Sequence, residues 1–457
     1  VIQGHIKSGE YSYEELTLFY LKRIYRYELN NDTSLHTIIA LNSEVLEEAR
    51  GLAYAEDHHP LYGMPILLKD NIGSKGMATT AGAIALQNNM ADDAFIVDRL
   101  REKGALILGK VNLSEWAYYL CTGCPLGYSA VGGQTLNPYG RRVFETGGSS
   151  AGSGTSVAAN YAVAAIGTET SGSILSPSSQ NSVVGLKPTI GLLSRTGIVP
   201  ISSTLDTPGP MTKNVRDNAI LLSAMLGKDG TDPASVAPKQ DPLQNTSPAP
   251  FKELKFGVFQ QLMESDSIYA ATVDKIKEAG ATIVAFTPPE VAMDGFLSIL
   301  NIDMRNDLPH YLTTQVKDKE AVKITSIADA VTFNQKDTLT RIPYGQALFE
   351  GILKDSTSTE GLLDIKNTLE ANGRKYFDTA LEAHGLDAIL SINNYHAGFA
   401  AVAKYPALTV PMGYKTSGEP ISLTFIGKQF TESYLLQMGE AFEQLTQIRK
   451  IPVAYAD

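Results

Sequence analysis

The chain has 457 residues, 43% of them hydrophobic and 19% charged, with 38 Lys plus Arg against 49 Asp plus Glu and a net charge of −11. This is globular composition, which excludes disorder, coiled coil and collagen, and the acidic balance excludes a general attraction to nucleic acid or anionic lipid. There is no apolar run of 18 residues to span a membrane and no disulfide framework in two cysteines; low cysteine use favours the cytoplasm, while a start at Val1 leaves room for a removed signal peptide.

The first fifty residues read as helices: Ser12 precedes Glu14 and Glu15, then Leu16, Phe19, Tyr20 and Ile24 at helical spacing. From residue 64 the texture changes. Short apolar runs at 64–68 and 105–108 predict buried strands, and 94–104 predicts a helix that ends at Gly104. Strand, helix, strand is the unit of a mostly parallel α/β sheet. Residues 229–252, rich in Asp, Pro, Ser and Gln, read as a surface linker. Later strands are predicted at 256–259, 282–286, 388–390, 408–410 and 422–426, and a final helix at about 432–446. Residues of about 288–365 carry helical patterns with few strand signals and read as a helical insertion over the sheet.

Residues 147–176 stand apart. Of these 30 residues, 13 are Gly or Ser and only Glu169 is charged, yet the centre, 157–166, is small and apolar. A flexible linker would not hold such a core. The pattern predicts a Gly/Ser turn, a small-residue helix packed closely on the sheet, a buried strand ending at Gly167, and a second turn over 168–173. Backbone N–H groups of such turns converge on anions, either a phosphate or the oxyanion of acyl transfer. The P-loop pattern and G-x-G-x-x-G are absent, and Ser173 does not sit in G-x-S-x-G. A serine nucleophile needs a base. None of the seven histidines adjoins the segment, which leaves a distant histidine or a lysine.

Several long motifs then occur in order. Gly147-Gly148-Ser149-Ser150-Ala151-Gly152-Ser153 is followed by Gly167-Thr168-Glu169-Thr170-Ser171-Gly172-Ser173-Ile174, by Val184-Gly185-Leu186-Lys187-Pro188-Thr189 and by Asp206-Thr207-Pro208-Gly209-Pro210-Met211. Upstream lie Gly63-Met64-Pro65-Ile66-Leu67-Leu68-Lys69-Asp70-Asn71 and Asn112-Leu113-Ser114-Glu115-Trp116-Ala117, and near the end Tyr405-Pro406-Ala407-Leu408-Thr409-Val410-Pro411. Together these resemble the amidase signature family. The resemblance implies a single domain over 1–457, an α/β fold with a large mixed, mostly parallel sheet flanked by helices on both faces, and a catalytic core at 60–225. It also implies a Ser-Ser-Lys triad: Ser173 as nucleophile, Ser149 as the bridging serine on a cis peptide bond, and Lys69 as base. Backbone N–H groups of Thr170, Ser171, Gly172 and Ser173 would hold the oxyanion. No metal or organic cofactor is implied, and the expected partner is a peptide or other small amide, bound by a monomer or homodimer.

Lys69 must be neutral to accept a proton, and burial under an almost uncharged segment would lower its pKa; Asp70, next on the strand, would face away. The Gly-Thr-Glu-Thr-x-Gly-Ser-Ile form and Gly132-Gly133-Gln134-Thr135-Leu136-Asn137-Pro138-Tyr139 resemble the peptide amidase branch, which removes C-terminal amides. Glu169, Ser171 and Leu175 depart from the Asp, Gly and Arg of many members, so any ion pair made by that arginine is missing. Two rivals are the amidase subunit of a tRNA-dependent amidotransferase and a non-catalytic binding protein. Tyr118, Tyr119 and Tyr128 are candidate pocket residues. Ser150 and Ser153 read as capping or packing residues, Asp206 as a turn hydrogen-bonder, Arg305 as a carboxylate clamp or a solvated charge, and Cys121 and Cys124 as two loop thiols.

Overall fold

The computed structural model describes residues 1–30 and 32–456. Its extended segments, in chain order, are β1 (Ile38–Leu41), β2 (Pro65–Lys69), β3 (Leu106–Val111), β4 (Tyr128–Ser129), β5 (Gly133–Gln134), β6 (Ala164–Glu169), β7 (Val184–Lys187), β8 (Thr207–Thr212), β9 (Lys255–Phe259), β10 (Thr282–Phe286), β11 (Ala388–Ile392), β12 (Ala407–Tyr414) and β13 (Pro420–Ile426). Among the described residues, all but β4 and β5 join one sheet in the order β1-β3-β2-β6-β8-β7-β12-β13-β11-β9-β10. The sheet is mixed. Parallel pairs make two blocks, β3-β2-β6 and β11-β9-β10, and the strands between them pair antiparallel. The mostly parallel expectation thus describes the two blocks and not the centre. There, for example, only five residues, 415–419, join β12 to β13, too few for a parallel crossover.

Alternation along the strands shows that both faces are covered. On β9, Phe256 and Val258 pack with Tyr269, Val273 and Ile276 of the helix Ser267–Glu278, while Phe259 joins Phe377, Tyr405 and Leu175 on the other side. Each fully buried Phe, Leu or Ile of these layers contributes about 1.5–3 kcal/mol. The helix Tyr13–Glu28 starts at a capping box: Ser12 Oγ accepts from Glu15 N–H, and Glu15 Oε2 accepts from Ser12 N–H at 2.8 Å.

Three strands of the large sheet, and the two-stranded β4–β5 pair, escaped the sequence reading. Ile38–Leu41, in a stretch read as helical, is an antiparallel edge strand on β3. β7 and β8 also went unseen, and β8 contains Pro208 and Pro210. Its register with β7 is limited to Val184↔Thr212 and Gly185↔Met211, so both prolines, which lack an N–H, lie beyond the shared ladder. β6 runs on past Gly167 to Glu169. The segment expected as a linker at 229–252 is tied down at its start, where Asp229 accepts from Ser194 Oγ at 2.6 Å and Asp232 from Arg195 Nε at 2.9 Å. Helices Phe296–Thr314, Ile327–Gln335 and Ala347–Lys354 supply a second apolar core that includes Trp116, Tyr119 and Leu120. They therefore sit against the loop that follows β3.

Candidate active site

Lys69 is the last residue of β2, and the register Leu68↔Ile166 carries it alongside the end of β6. Its amine is fully buried, 2.7 Å from Ser149 Oγ, 2.8 Å from Thr168 Oγ1 and 3.1 Å from the Thr168 carbonyl. Burial lowers its pKa to about 7, against the opposing pull of Asp206 and Glu169. A neutral amine has two N–H groups and one lone pair. The Thr168 carbonyl can only take an N–H, so the lone pair is left for one of the two hydroxyls. Asp70 turns to the opposite face, as alternation requires, and forms a buried ion pair with Lys110 at 3.0 Å.

The Gly148–Ser149 peptide bond is cis. The Ser149 carbonyl accepts from Ser114 N–H at 3.0 Å, and Ser114 Oγ accepts from Gly127 N–H at 2.8 Å. Ser150 follows and does not cap the helix Ala151–Ala158 with its side chain. Its hydroxyl donates to the Thr168 carbonyl at 3.0 Å and accepts from Thr168 N–H at 3.2 Å, while Ser153 Oγ donates to the Ile166 carbonyl at 3.0 Å. The two serines thus stitch the helix to β6. The small residues are needed for this approach: a Cβ on Gly152 would lie 2.4 Å from the Asn112 carbonyl oxygen.

Beyond β6 the chain turns sharply around one carboxylate. Glu169 Oε1 accepts from Gly172 N–H at 2.7 Å, and Oε2 accepts from Ile174 and Leu175 N–H at 2.7 and 3.0 Å. Gly172 sits at φ 86°, a left-handed conformation that suits glycine. Its N–H is therefore committed, which corrects the expectation that it joins Thr170, Ser171 and Ser173 in holding an oxyanion. The Ser173 carbonyl accepts from Ser150 N–H at 3.1 Å, which fixes the two serine turns to each other. Among the described residues, Ser173 Oγ has no hydrogen-bond partner; the contact expected between Ser173 and Ser149 hydroxyls is not formed.

A cavity of about 560 Å³ opens beside this turn, lined in part by Asn71, Thr168, Thr170 and Asp206. Thr170 Oγ1 donates to Asp206 Oδ1 at 2.5 Å, and Asp206 Oδ2 accepts from Ile201 and Ser202 N–H at 2.8 and 2.9 Å. Burial pushes the Asp206 carboxyl up to about 6, with those hydrogen bonds opposing it. Asp206 is thus both a turn hydrogen-bonder, as expected, and a wall of the cavity. The sequence did not single out Asn71 or Thr168. Asn71 stands two residues after Lys69, in the turn that follows β2, and meets the same Thr168 hydroxyl as Lys69; its closeness to Lys69 in sequence is the one signal that could have found it.

The tyrosines lie elsewhere. Tyr118 and Tyr128 border a narrow cleft with Glu115, Cys121 and Tyr344, and Tyr119 Oη donates to Asn301 Oδ1 at 2.7 Å in the packing of the helical segment. None of the three lines the cavity beside the turn that carries Ser173. Cys121 and Cys124, the two loop thiols, face each other with Cα atoms 5.8 Å apart, a separation a disulfide can span. Arg305 is neither clamp nor solvated charge: its guanidinium donates to the carbonyls of Asp355 and Ile352 at 2.8 and 3.3 Å. Among the described residues, no three His, Cys, Asp or Glu side chains are grouped to hold a metal ion, and no helix is long and apolar enough to cross a membrane.

The model of the family described as Amidase matches residues 15–392. The chain belongs to the amidase family. Among this amidase's relatives, a probable amidase of Arabidopsis thaliana is 36% identical over 441 residues, covering 92% of this chain and 84% of the relative. A subunit of the glutamyl-tRNA(Gln) amidotransferase of Exiguobacterium sibiricum is 30% identical, covering 96% of this chain and 95% of its own. Two solved structures are also similar. An amidase family protein from Bacillus anthracis superposes with a TM-score of 0.93 at 38% identity, over 99% of this chain and 91% of the other. The native peptide amidase of Stenotrophomonas maltophilia does so with a TM-score of 0.90 at 36% identity, over 99% and 97%. The amidase is thus a hydrolase of C–N amide bonds with the mixed α/β architecture of those neighbours.

Proposed function

We propose that this amidase acts on its own, as a monomer or homodimer, and hydrolyses C-terminal peptide amides or other small carboxamides to the carboxylate and ammonia. The observation that carries the reading is the buried Lys69 amine 2.7 Å from Ser149 Oγ, in a chain 36% identical to a peptide amidase over nearly its full length. Ser149 gives its proton to the Lys69 lone pair and takes one from Ser173. This requires the free Ser173 hydroxyl to rotate toward Ser149. Ser173 Oγ attacks the carbonyl carbon, and the developing oxyanion is met by N–H groups of Thr170, Ser171 and Ser173, while Glu169 holds the turn that presents them. The proton returns through Ser149 to the leaving nitrogen, ammonia departs, and water, deprotonated along the same path, releases the acid from Ser173. Residues 60–225 supply every group in this sequence, and the helices within 288–365 shape access to it.

A second reading rests on the Exiguobacterium sibiricum relative: a glutaminase-type subunit that delivers ammonia to a partner. Ammonia release from a dipeptide amide, an aliphatic amide, an aryl amide and glutamine, with Ser173→Ala as the blank, separates the two. Turnover of the dipeptide amide is expected; activity on glutamine alone would favour the glutaminase reading.

A further inference from the structure

The cavity beside the turn that carries Ser173 is walled in part by carboxylates. Asn71 is 3% exposed and lines it. Its Nδ2 donates to Thr168 Oγ1 at 3.0 Å and faces the Val199 carbonyl at 3.5 Å, which fixes the amide orientation, since only the NH₂ end can face a carbonyl. Its Oδ1 is then a buried acceptor with no partner, and leaving such an atom unpaired costs about 1–3 kcal/mol. Three carboxylates, Asp206, Asp232 and Asp307, share the same walls. Arg195, the half-buried cation among them, is already held by Asp232, Nε to Oδ2 at 2.9 Å and Nη2 to Oδ1 at 2.5 Å; His310, also on the lining, is exposed. Asp307 accepts from Ser203 N–H at 2.7 Å and has no cation within ion-pair distance among the described residues. Apolar walls at Val199, Pro200 and Ile201 keep the local dielectric low and strengthen the field of these charges.

We propose that this cavity is a subsite for a cationic, N–H-donating part of the substrate, an ammonium or guanidinium group carried near the scissile amide. The proposal deepens the amide-hydrolase reading and rests on it for the identity of the substrate. Asp307 accepts from the substrate's charged N–H groups, and Asp206, on the same walls, adds to the negative field. An acidic group placed there would face the carboxylates of Asp206, Asp232 and Asp307, so acidic amides are disfavoured.

Binding can be read apart from turnover on the Ser173→Ala protein, whose lost hydroxyl leaves nothing unpaired. Titration calorimetry would compare N-acetyl-lysinamide, N-acetyl-norleucinamide and norleucinamide with a free amine. The first and second differ by one side-chain ammonium and the second and third by the α-ammonium, so the two sources of cation are distinguished. At least one cationic amide is expected to bind about tenfold more tightly than N-acetyl-norleucinamide, with the gain reduced by Asp307→Asn. Equal binding of all three would overturn the proposal, and so would a gain that Asp307→Asn leaves untouched. If a bound cationic amide released no ammonia with the wild-type protein, the amide-hydrolase reading would fail while the subsite stood.

Discussion

The Lys69 amine and the Ser149 hydroxyl lie 2.7 Å apart at a point closed to solvent. A lysine there serves as a base only when uncharged, and burial has brought its pKa to about 7. The sign follows directly. Below that value Lys69 is an ammonium with no lone pair, so kcat/KM should fall about tenfold per pH unit; above it the dependence should flatten. Lys69→Ala should lower kcat by about 10²–10⁴-fold. A pH–rate profile checks both, and a profile flat from pH 5 to 8 would remove Lys69 from the proton path.

Glu169 holds three backbone N–H groups of the turn that carries Ser173. Replacing it by Gln turns one acceptor oxygen into an NH₂ that faces donors. Glu169→Gln should therefore cost about 1–3 kcal/mol in urea unfolding. It should also lower kcat more than it changes KM, because in the proposed mechanism the turn presents the oxyanion donors. Equal loss in both constants would mean that the carboxylate acts on substrate binding instead.

At Gly172 both the conformation and the space are restrictive. A side chain there meets Asn394 Nδ2 at 3.0 Å and must adopt φ 86°. Gly172→Ala is expected to cost about 1–2 kcal/mol from the left-handed backbone alone and to reduce turnover by disturbing the Glu169 contact. Wild-type unfolding and activity in this variant would show that the turn tolerates more freedom than the structure indicates.

How far the sequence led is clearest at particular residues. Lys69, Ser149 and Ser173 stand in motifs long enough to be read in order, and the Gly/Ser segment around the serines is small and almost uncharged, which is the chemistry a neutral lysine needs. The alternation that turned Asp70 away from Lys69 was equally legible. β8 was not, because Pro208 and Pro210 mask a strand whose register with β7 stops short of them. The cavity was not legible either. Asn71, Arg195, Asp206 and Asp307 converge from separate segments, and no periodicity links them. The tyrosines named for the pocket lie between the lysine and serine motifs in sequence, yet their rings fill a neighbouring cleft and the core of the helical segment.

Asp70 and Lys110 form an ion pair that is wholly buried. Such a pair adds little by its presence, but removing one partner strands the other in a low-dielectric interior. Asp70→Ala should thus destabilise the fold by about 3–5 kcal/mol. Chemical denaturation measures this directly, and a loss below about 1 kcal/mol would mean that Lys110 finds another partner or sheds its proton.

The central claim is that Ser173 is the nucleophile and that Lys69 activates it through Ser149. Intact and peptide mass spectrometry after exposure to a fluorophosphonate tests it most directly. One label per chain on the peptide carrying Ser173 is predicted, formed much more slowly in Lys69→Ala and absent in Ser173→Ala. Labelling at another residue, or labelling of Ser173 at an unchanged rate without Lys69, would contradict the account.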